Sequence, residues 1–110
     1  MIALRYYTKL LGFSKRDSES FEELFSDGDA FKDCIEDRAA RWISEARPRC
    51  SNEVECRRVV FRDVFQLALN AGLLHKEKRM VAMAFAMVLI DQIELRVRKF
   101  DASMNLNLNN

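Results

Sequence analysis

Five arginines near the middle of the chain form its densest group of side chains that could bind an anion. Guanidinium groups bind phosphates and carboxylates through paired hydrogen bonds. Arg58 and Arg62 are four residues apart, so a helix would place them on one face. This basic cluster predicts either an anion-binding surface or a solvated face that pairs with the acidic first half of the chain. Its members are Arg47, Arg49, Arg57, Arg58 and Arg62.

The distribution of charge bears on those two interpretations. Residues 1–46 hold seven Lys or Arg against ten Asp or Glu, a net charge of −3, and residues 47–110 hold eleven against seven, a net charge of +4. A dedicated nucleic-acid surface is normally part of a strongly basic domain. The balance therefore favours contact between the two halves over nucleic-acid binding.

Residues suited to catalysis or to metal binding are scarce. Cys34, Cys50 and Cys56 form no C-x-x-C pair, and His75 is the only histidine, so four matched zinc ligands are lacking. Three scattered glycines make no phosphate-binding loop. We expect no catalytic residues, no metal site, no cofactor and no small-molecule substrate. The odd number of cysteines indicates reduced thiols and a cytoplasmic protein.

Composition predicts a single all-α domain. Of the 110 residues 49% are apolar, and only three are Gly and one is Pro, which favours long helices over the turn-rich β classes. We predict one helical domain over residues 1–103 and a disordered tail over 104–110. The first 13 residues have helical spacing but no cleavage site of a signal peptide.

The first half of the chain offers three boundary signals. The first helix is predicted to end at Gly12, and a capping-box pattern starts a second helix at Ser20. Its apolar stripe continues to about Ala46, and Pro48 ends it. Gly28, flanked by two aspartates, favours a turn, whereas the unbroken phase of the stripe favours one continuous helix.

The second half contains the strongest signal in the sequence. Asn52 is a predicted N-cap for a helix that ends near Asn70. The eleven consecutive apolar residues 80–90 open the last helix; they are too few for a bilayer, which needs about 20. A helix that is apolar on every side must be surrounded by protein. We therefore predict a bundle built around this helix, with alanines at 82, 84 and 86 that let neighbours approach.

Leu24, Gly28, Asp29 and Phe31 follow a Leu-x-x-x-Gly-Asp-x-apolar pattern. This pattern resembles the BH3 motif of the Bcl-2 family, and three further segments resemble other parts of that family in the same order. Residues 2–10 are similar to the BH4 region, residues 61–72 to the helix before BH1, and residues 79–85 to the Arg-apolar-Val-Ala core of BH1. The chain departs from the family at residues 76–78, where Lys-Glu-Lys replaces Asn-Trp-Gly, and at Asp27, where an apolar residue is usual.

The resemblance implies a truncated Bcl-2-like fold around a buried central helix. No BH2 segment or membrane anchor follows that helix in this sequence. We therefore expect exposed apolar faces on the helix, larger than a monomer tolerates, unless the helix bends back or a second copy covers it. We expect the second copy, and hence a homodimer.

The function that the resemblance implies is regulation of cell death by binding BH3 helices of partner proteins, in the cytoplasm or at the mitochondrial outer membrane. Arg79 would pair with an Asp of the bound helix. In the opposite arrangement residues 20–35 would themselves be the BH3 ligand. The alternative from a different class is a small helical homodimeric adaptor, or a nucleic-acid-binding protein similar to a viral suppressor, that uses the basic cluster. The predicted groove is formed by Phe61, Val64, Gly72, Arg79, Val81, Ala82 and Phe85.

Overall fold

Four α-helices build the described part of the protein. A computed structural model describes residues 9–23, 25–26, 28–70 and 79–109, so most of the predicted first helix lies outside it, as do Leu24, Asp27, Gly72 and His75. Within those residues there is no strand, and the all-α prediction is confirmed. The helices are α1 (Lys15–Glu23), α2 (Gly28–Arg41), α3 (Glu53–Asn70) and α4 (Arg79–Asn109).

Helix α1 begins earlier than the sequence predicts. Gly12 makes the preceding turn with a positive φ of 62°, a backbone conformation that glycine adopts at little cost. The hydroxyl oxygen of Ser14 then accepts the backbone N–H of Asp17 at 3.2 Å. Ser14 is therefore the N-cap, and the predicted start at Ser20 is wrong because Ser20 already lies inside α1.

A turn separates α1 from α2. The backbone N–H groups of Phe25 and Ser26 donate to the carbonyls of Glu22 and Glu23 at 3.0 and 3.1 Å, and α2 begins at Gly28. The turn interpretation of Gly28 is thus correct, and the continuous helix is wrong. The apolar stripe keeps its phase because Phe25 and Phe31 pack on the same core from both sides of the turn, with ring centroids 4.8 Å apart.

The connection from α2 to α3 is a widened helical turn over Trp42–Ala46 followed by a 3₁₀ turn over Arg47–Arg49. Pro48 has no N–H and cannot extend a regular α-helix, and the N–H of Arg47 instead donates to the carbonyl of Trp42. Helix α3 then starts at its predicted cap, where the side-chain oxygen of Asn52 accepts the N–H of Glu55 at 2.9 Å.

Helix α4 is the centre of the bundle, as its apolar run predicts. Helix α3 lies antiparallel to it, because Arg57 in the first turns of α3 pairs with Glu94, whereas Ala68 near the end of α3 shares a cluster with Val81. Helix α2 runs parallel to α4, with Phe31 beside Phe85 and Glu36 paired with Arg96. The fully or almost fully buried residues of α4 are Val81, Ala82, Ala84, Ala86, Val88, Leu89, Ile90, Ile93 and Val97.

Two expectations about the last helix change. Helix α4 continues to Asn109, through residues predicted to be a tail, since no Gly or Pro stops it there. Most of its central apolar surface is covered by α1, α2 and α3 of the same chain. The exposed apolar face from which we inferred a homodimer is thereby reduced, in residues 80–90, to the side chains of Met80 and Met83, 46% and 40% exposed. No described helix combines the length and apolarity that crossing a membrane requires.

Candidate functional site

The predicted groove is closed in this structure. Val64, Val81 and Ala82 have no exposed surface, and Phe61 and Phe85 are only partly exposed. These side chains are therefore core residues here, and the expectation that they line an open groove is corrected. The reason is that other segments of the same chain cover them.

Helix α1 is one of the segments that cover the predicted groove. Phe21, near its end, is fully buried and shares a cluster with Ala68 of α3 and with Val81, Ala82 and Ala84 of α4. Its ring meets Phe13 and Phe25 edge to face, with centroids 5.7 and 5.3 Å apart. Edge-to-face contacts of this kind add about 1 kcal/mol each beyond area burial. A single aromatic side chain thus anchors α1 between α3 and α4.

The start of α2 closes the rest of the surface. Phe25 contacts the ring of Phe31 and that of Phe85, with centroid distances of 4.8 and 5.1 Å. Phe85 belongs to the predicted groove, and Phe31 to the BH3-like segment. The two predicted sites therefore meet at one aromatic cluster inside a single chain.

The BH3-like segment does not lie on one helix, contrary to its predicted position on the second helix. Gly28 begins α2 and Asp29 lies in its first turn, both exposed, while Phe25 and Ser26 belong to the preceding turn. Phe31 is partly buried in the aromatic cluster. To serve as a ligand, this segment would have to form a continuous helix across the turn and withdraw Phe31 from the core.

The basic cluster is divided by internal ion pairs. Arg47 pairs with Glu53 and Asp101, and Arg57 pairs with Asp91 and Glu94. All four acidic partners belong to the second half of the chain, so the expected pairing of this cluster with the acidic first half is wrong. Arg49, Arg58 and Arg62 are exposed. The anion-binding interpretation retains these three residues.

The ion pairs of Arg47 form a network that the sequence does not reveal. Both guanidinium NH groups donate to Asp101, at 2.9 and 2.7 Å, and Nε donates to Glu53 at 2.7 Å. The second carboxylate oxygen of Glu53 accepts the indole N–H of Trp42 at 3.1 Å. These hydrogen bonds raise the pKa of Arg47 and hold the pKa of Asp101 below its usual range.

Two clefts flank this network. One, of about 270 Å³, lies over Arg47, Glu53 and Asp101. The other, of about 490 Å³, lies between α2 and α3. Its lining includes Trp42, Arg49, Cys50 and Val59. Neither cleft contains a residue of the predicted groove.

The three thiols differ in their surroundings. Cys56 is buried, and Cys50 packs against the same apolar cluster. Burial raises the pKa of Cys34 and of Cys56, the latter to about 12. The described residues contain no group of three or more side chains suited to hold a metal ion.

Among the predicted groove residues that the structure describes, Arg79 alone is exposed, in the first turn of α4. A helix N-terminus carries partial positive charge, which Arg79 reinforces. An acidic side chain could therefore bind to the guanidinium of Arg79 and to the N-terminal end of α4, at the edge of the surface that α1 covers.

No family model matches the chain, and no curated protein or solved structure matches it.

Proposed function

We propose that this chain is a protein-interaction module that receives an amphipathic helix of a partner between α3 and α4. The resemblance to the Bcl-2 family supports a BH3 helix as the ligand and regulation of cell death as the role. In the free protein α1 occupies part of the binding surface, and the incoming helix displaces it.

The burial of Phe21 is the observation that carries this proposal. Helix-in-groove recognition places apolar anchors of one helix into a groove formed by others, and Phe21 makes such a contact within the chain. Helix α1 has nine residues, whereas isolated helices below about 12 residues are marginal in water. Its position therefore depends on this anchor, and a longer helix with several anchors can replace it.

The charges at the edge of the surface define the ligand further. Arg79 is exposed at the N-terminal end of the 31-residue helix α4. A carboxylate on the incoming helix would form a charge-assisted hydrogen bond with its guanidinium, stronger than a neutral one. A ligand with apolar anchors at helical spacing and one acidic residue fits both features.

The test is a titration of the full chain with synthetic BH3 peptides, followed by fluorescence polarisation. We expect at least one peptide to bind with Kd below about 10 μM. Phe21→Ala should tighten binding because it weakens the resident helix, and Arg79→Glu should weaken binding because it repels the ligand's carboxylate. Phe21→Leu keeps an apolar anchor and guards against a loss of folding, which circular dichroism detects.

Val54→Ala is the matched control, because Val54 is 69% exposed and lies at the opposite end of α3. It should leave the affinity unchanged. Absence of binding below about 10 μM for every peptide and every folded variant would refute the proposal. Equal affinity for the original chain, Phe21→Ala and Phe21→Leu would refute displacement of α1. A steep loss of affinity with added salt would indicate charge-dominated binding, as at a nucleic-acid surface.

A further inference from the structure

The connection between α2 and α3 brings two thiols together. Cys50 follows the 3₁₀ turn in extended conformation, with φ −107° and ψ 147°, and Cys56 lies near the start of α3. Cys56 is a buried member of the apolar cluster that contains Trp42, and Cys50 packs against the same cluster. Cys50 is close enough to Cys56 to raise the pKa of the Cys56 thiol. No disulfide joins them in this structure.

The two thiols differ in their access to solvent. Cys50 is partly exposed and lines the cleft of about 490 Å³ between α2 and α3. Cys56 is 1% exposed, so a dissolved oxidant reaches Cys50 and not Cys56. An accessible thiol beside a second, sheltered thiol is the arrangement found in reversible redox sites, where the second thiol resolves the oxidised first one.

We propose that Cys50 and Cys56 are a redox modification site that forms a reversible disulfide, with a hydroperoxide as the oxidant and a dithiol as the reductant. The site is independent of the helix-binding surface, since neither cysteine belongs to that surface.

The chemistry balances with hydrogen peroxide as the oxidant. The Cys50 thiolate attacks one peroxide oxygen; an S–O bond forms, the O–O bond breaks, and the departing hydroxide takes a proton to become water. The Cys56 sulfur then attacks the sulfur of the Cys50 sulfenic acid. The S–S bond forms as the S–O bond breaks, and the second hydroxide leaves as water with the proton of Cys56. The two sulfurs lose two electrons in total and peroxide gains them.

The burial of Cys56 fits this order of events. Because Cys56 is 1% exposed, the sulfenic acid of Cys50 is the oxidised group within its reach, and Cys56 reacts only after Cys50 has been oxidised. Thiol–disulfide exchange with a small dithiol, entering through the cleft at Cys50, reverses the step.

The positions of the tryptic sites make the test direct. No Lys or Arg lies between Cys50 and Cys56, so trypsin releases both in one peptide, residues 50–57, and releases Cys34 in a different peptide, residues 33–38. The folded full chain is treated with hydrogen peroxide, its remaining thiols are alkylated, and both peptides are weighed by mass spectrometry. Cys34, which is also partly exposed, is the internal control.

We expect peptide 50–57 to lose two hydrogen atoms and to resist alkylation, and dithiothreitol to restore both thiols, while Cys34 stays open to alkylation. In Cys56→Ser, Cys50 should accumulate as a sulfenic acid that dimedone traps. In Cys50→Ser, the buried Cys56 should stay reduced.

Three results would overturn the proposal. The first is a peptide 50–57 that keeps two alkylatable thiols while Cys34 is oxidised. The second is oxidation of Cys50 to the sulfinic acid without a disulfide in the original chain. The third is a disulfide between two chains in place of the internal one.

Discussion

The guanidinium of Arg47 donates two hydrogen bonds, 2.9 and 2.7 Å long, to the carboxylate of Asp101, which lies 54 positions later in the sequence. Since Arg47 also binds Glu53, and Glu53 binds the indole of Trp42, three segments of the bundle meet at one side chain. These hydrogen bonds hold the connection between α2 and α3 against α4, in addition to the apolar contacts between the helices.

Removal of the charge at Asp101 should make the free energy of unfolding depend less on pH. Arg47 lowers the pKa of Asp101 from its ordinary 3.8 in the folded chain only. The pair therefore stabilises the fold fully above that pH and loses this effect as the pH falls through the lower, folded-state pKa. We expect Asp101→Asn to lower the free energy of unfolding by about 1 kcal/mol at pH 7, allowing for solvent screening.

Urea unfolding between pH 2 and pH 7 checks this prediction, because the difference between the original chain and Asp101→Asn should shrink as the pH falls below about 4. Asp37→Asn is the control. Asp37 pairs with Arg41, one helical turn away, at 3.3 Å on the exposed face of α2. A pair of this kind contributes about 0.3 kcal/mol. A difference for Asp101→Asn that is constant over this pH range would contradict the argument.

Loss of the N-cap of α3 should destabilise the fold. The Asn52 side chain accepts the N–H of Glu55 at 2.9 Å, and the Glu55 carboxylate accepts the N–H of Ser51 at 2.7 Å. We expect Asn52→Ala to lower the free energy of unfolding by about 1 kcal/mol. Thermal unfolding by circular dichroism measures it, with Ser103→Ala on the exposed face of α4 as a neutral control. Equal melting temperatures for the two variants would exclude a capping role.

The small residues of α4 should not tolerate enlargement. Ala84 is fully buried among Phe21, Ala68 and Val88, while its neighbour Met83 is 40% exposed. Extra methylenes in a packed core cost about 1–3 kcal/mol, so we expect Ala84→Leu to lower the melting temperature markedly. Met83→Leu should leave it almost unchanged. Equal melting temperatures for both variants and the original chain would contradict tight packing around Ala84.

The two described glycines should respond in opposite ways to alanine. Gly12 has φ +62°, a conformation that costs an L-residue about 1–2 kcal/mol. Gly28 starts α2, and a Cβ there would meet no atom within 4 Å, so alanine should stabilise the chain by about 0.5 kcal/mol through the unfolded state. Differential scanning calorimetry of Gly12→Ala and Gly28→Ala decides the point, and destabilisation by Gly28→Ala would reveal a close approach at that residue.

The features that the sequence could predict are those that depend on local pattern. The apolar run 80–90 gives its helix no polar face, and the central place of that helix in the bundle follows from this alone. Asn52 likewise caps α3 because its partner is three residues away. The start of α1 is harder to predict, because Ser14 and Ser20 are each followed by an acidic residue three positions later. Only contacts made elsewhere in the fold distinguish the two serines.

The features that the sequence could not predict depend on distant partners. The motif resemblance assigned Val64, Val81 and Ala82 to one surface but could not show that Phe21 covers it. The basic cluster was visible as a set of arginines, yet the partner of Arg47 lies on another helix. The contact of Cys50 with Cys56 depends on the path that the chain takes after Pro48.

Helix α4 changes its environment within one turn. Along a single stripe with three- and four-residue spacing, Val97 is 3% exposed and Phe100 is 43% exposed, although the backbone stays helical to Asn109. We therefore expect the amide hydrogens of the buried middle of α4, from Ala84 to Val97, to exchange mainly when the bundle opens, whereas those beyond Phe100 exchange when the helix end unwinds by itself. One continuous helix would then contain both slowly and rapidly exchanging amides.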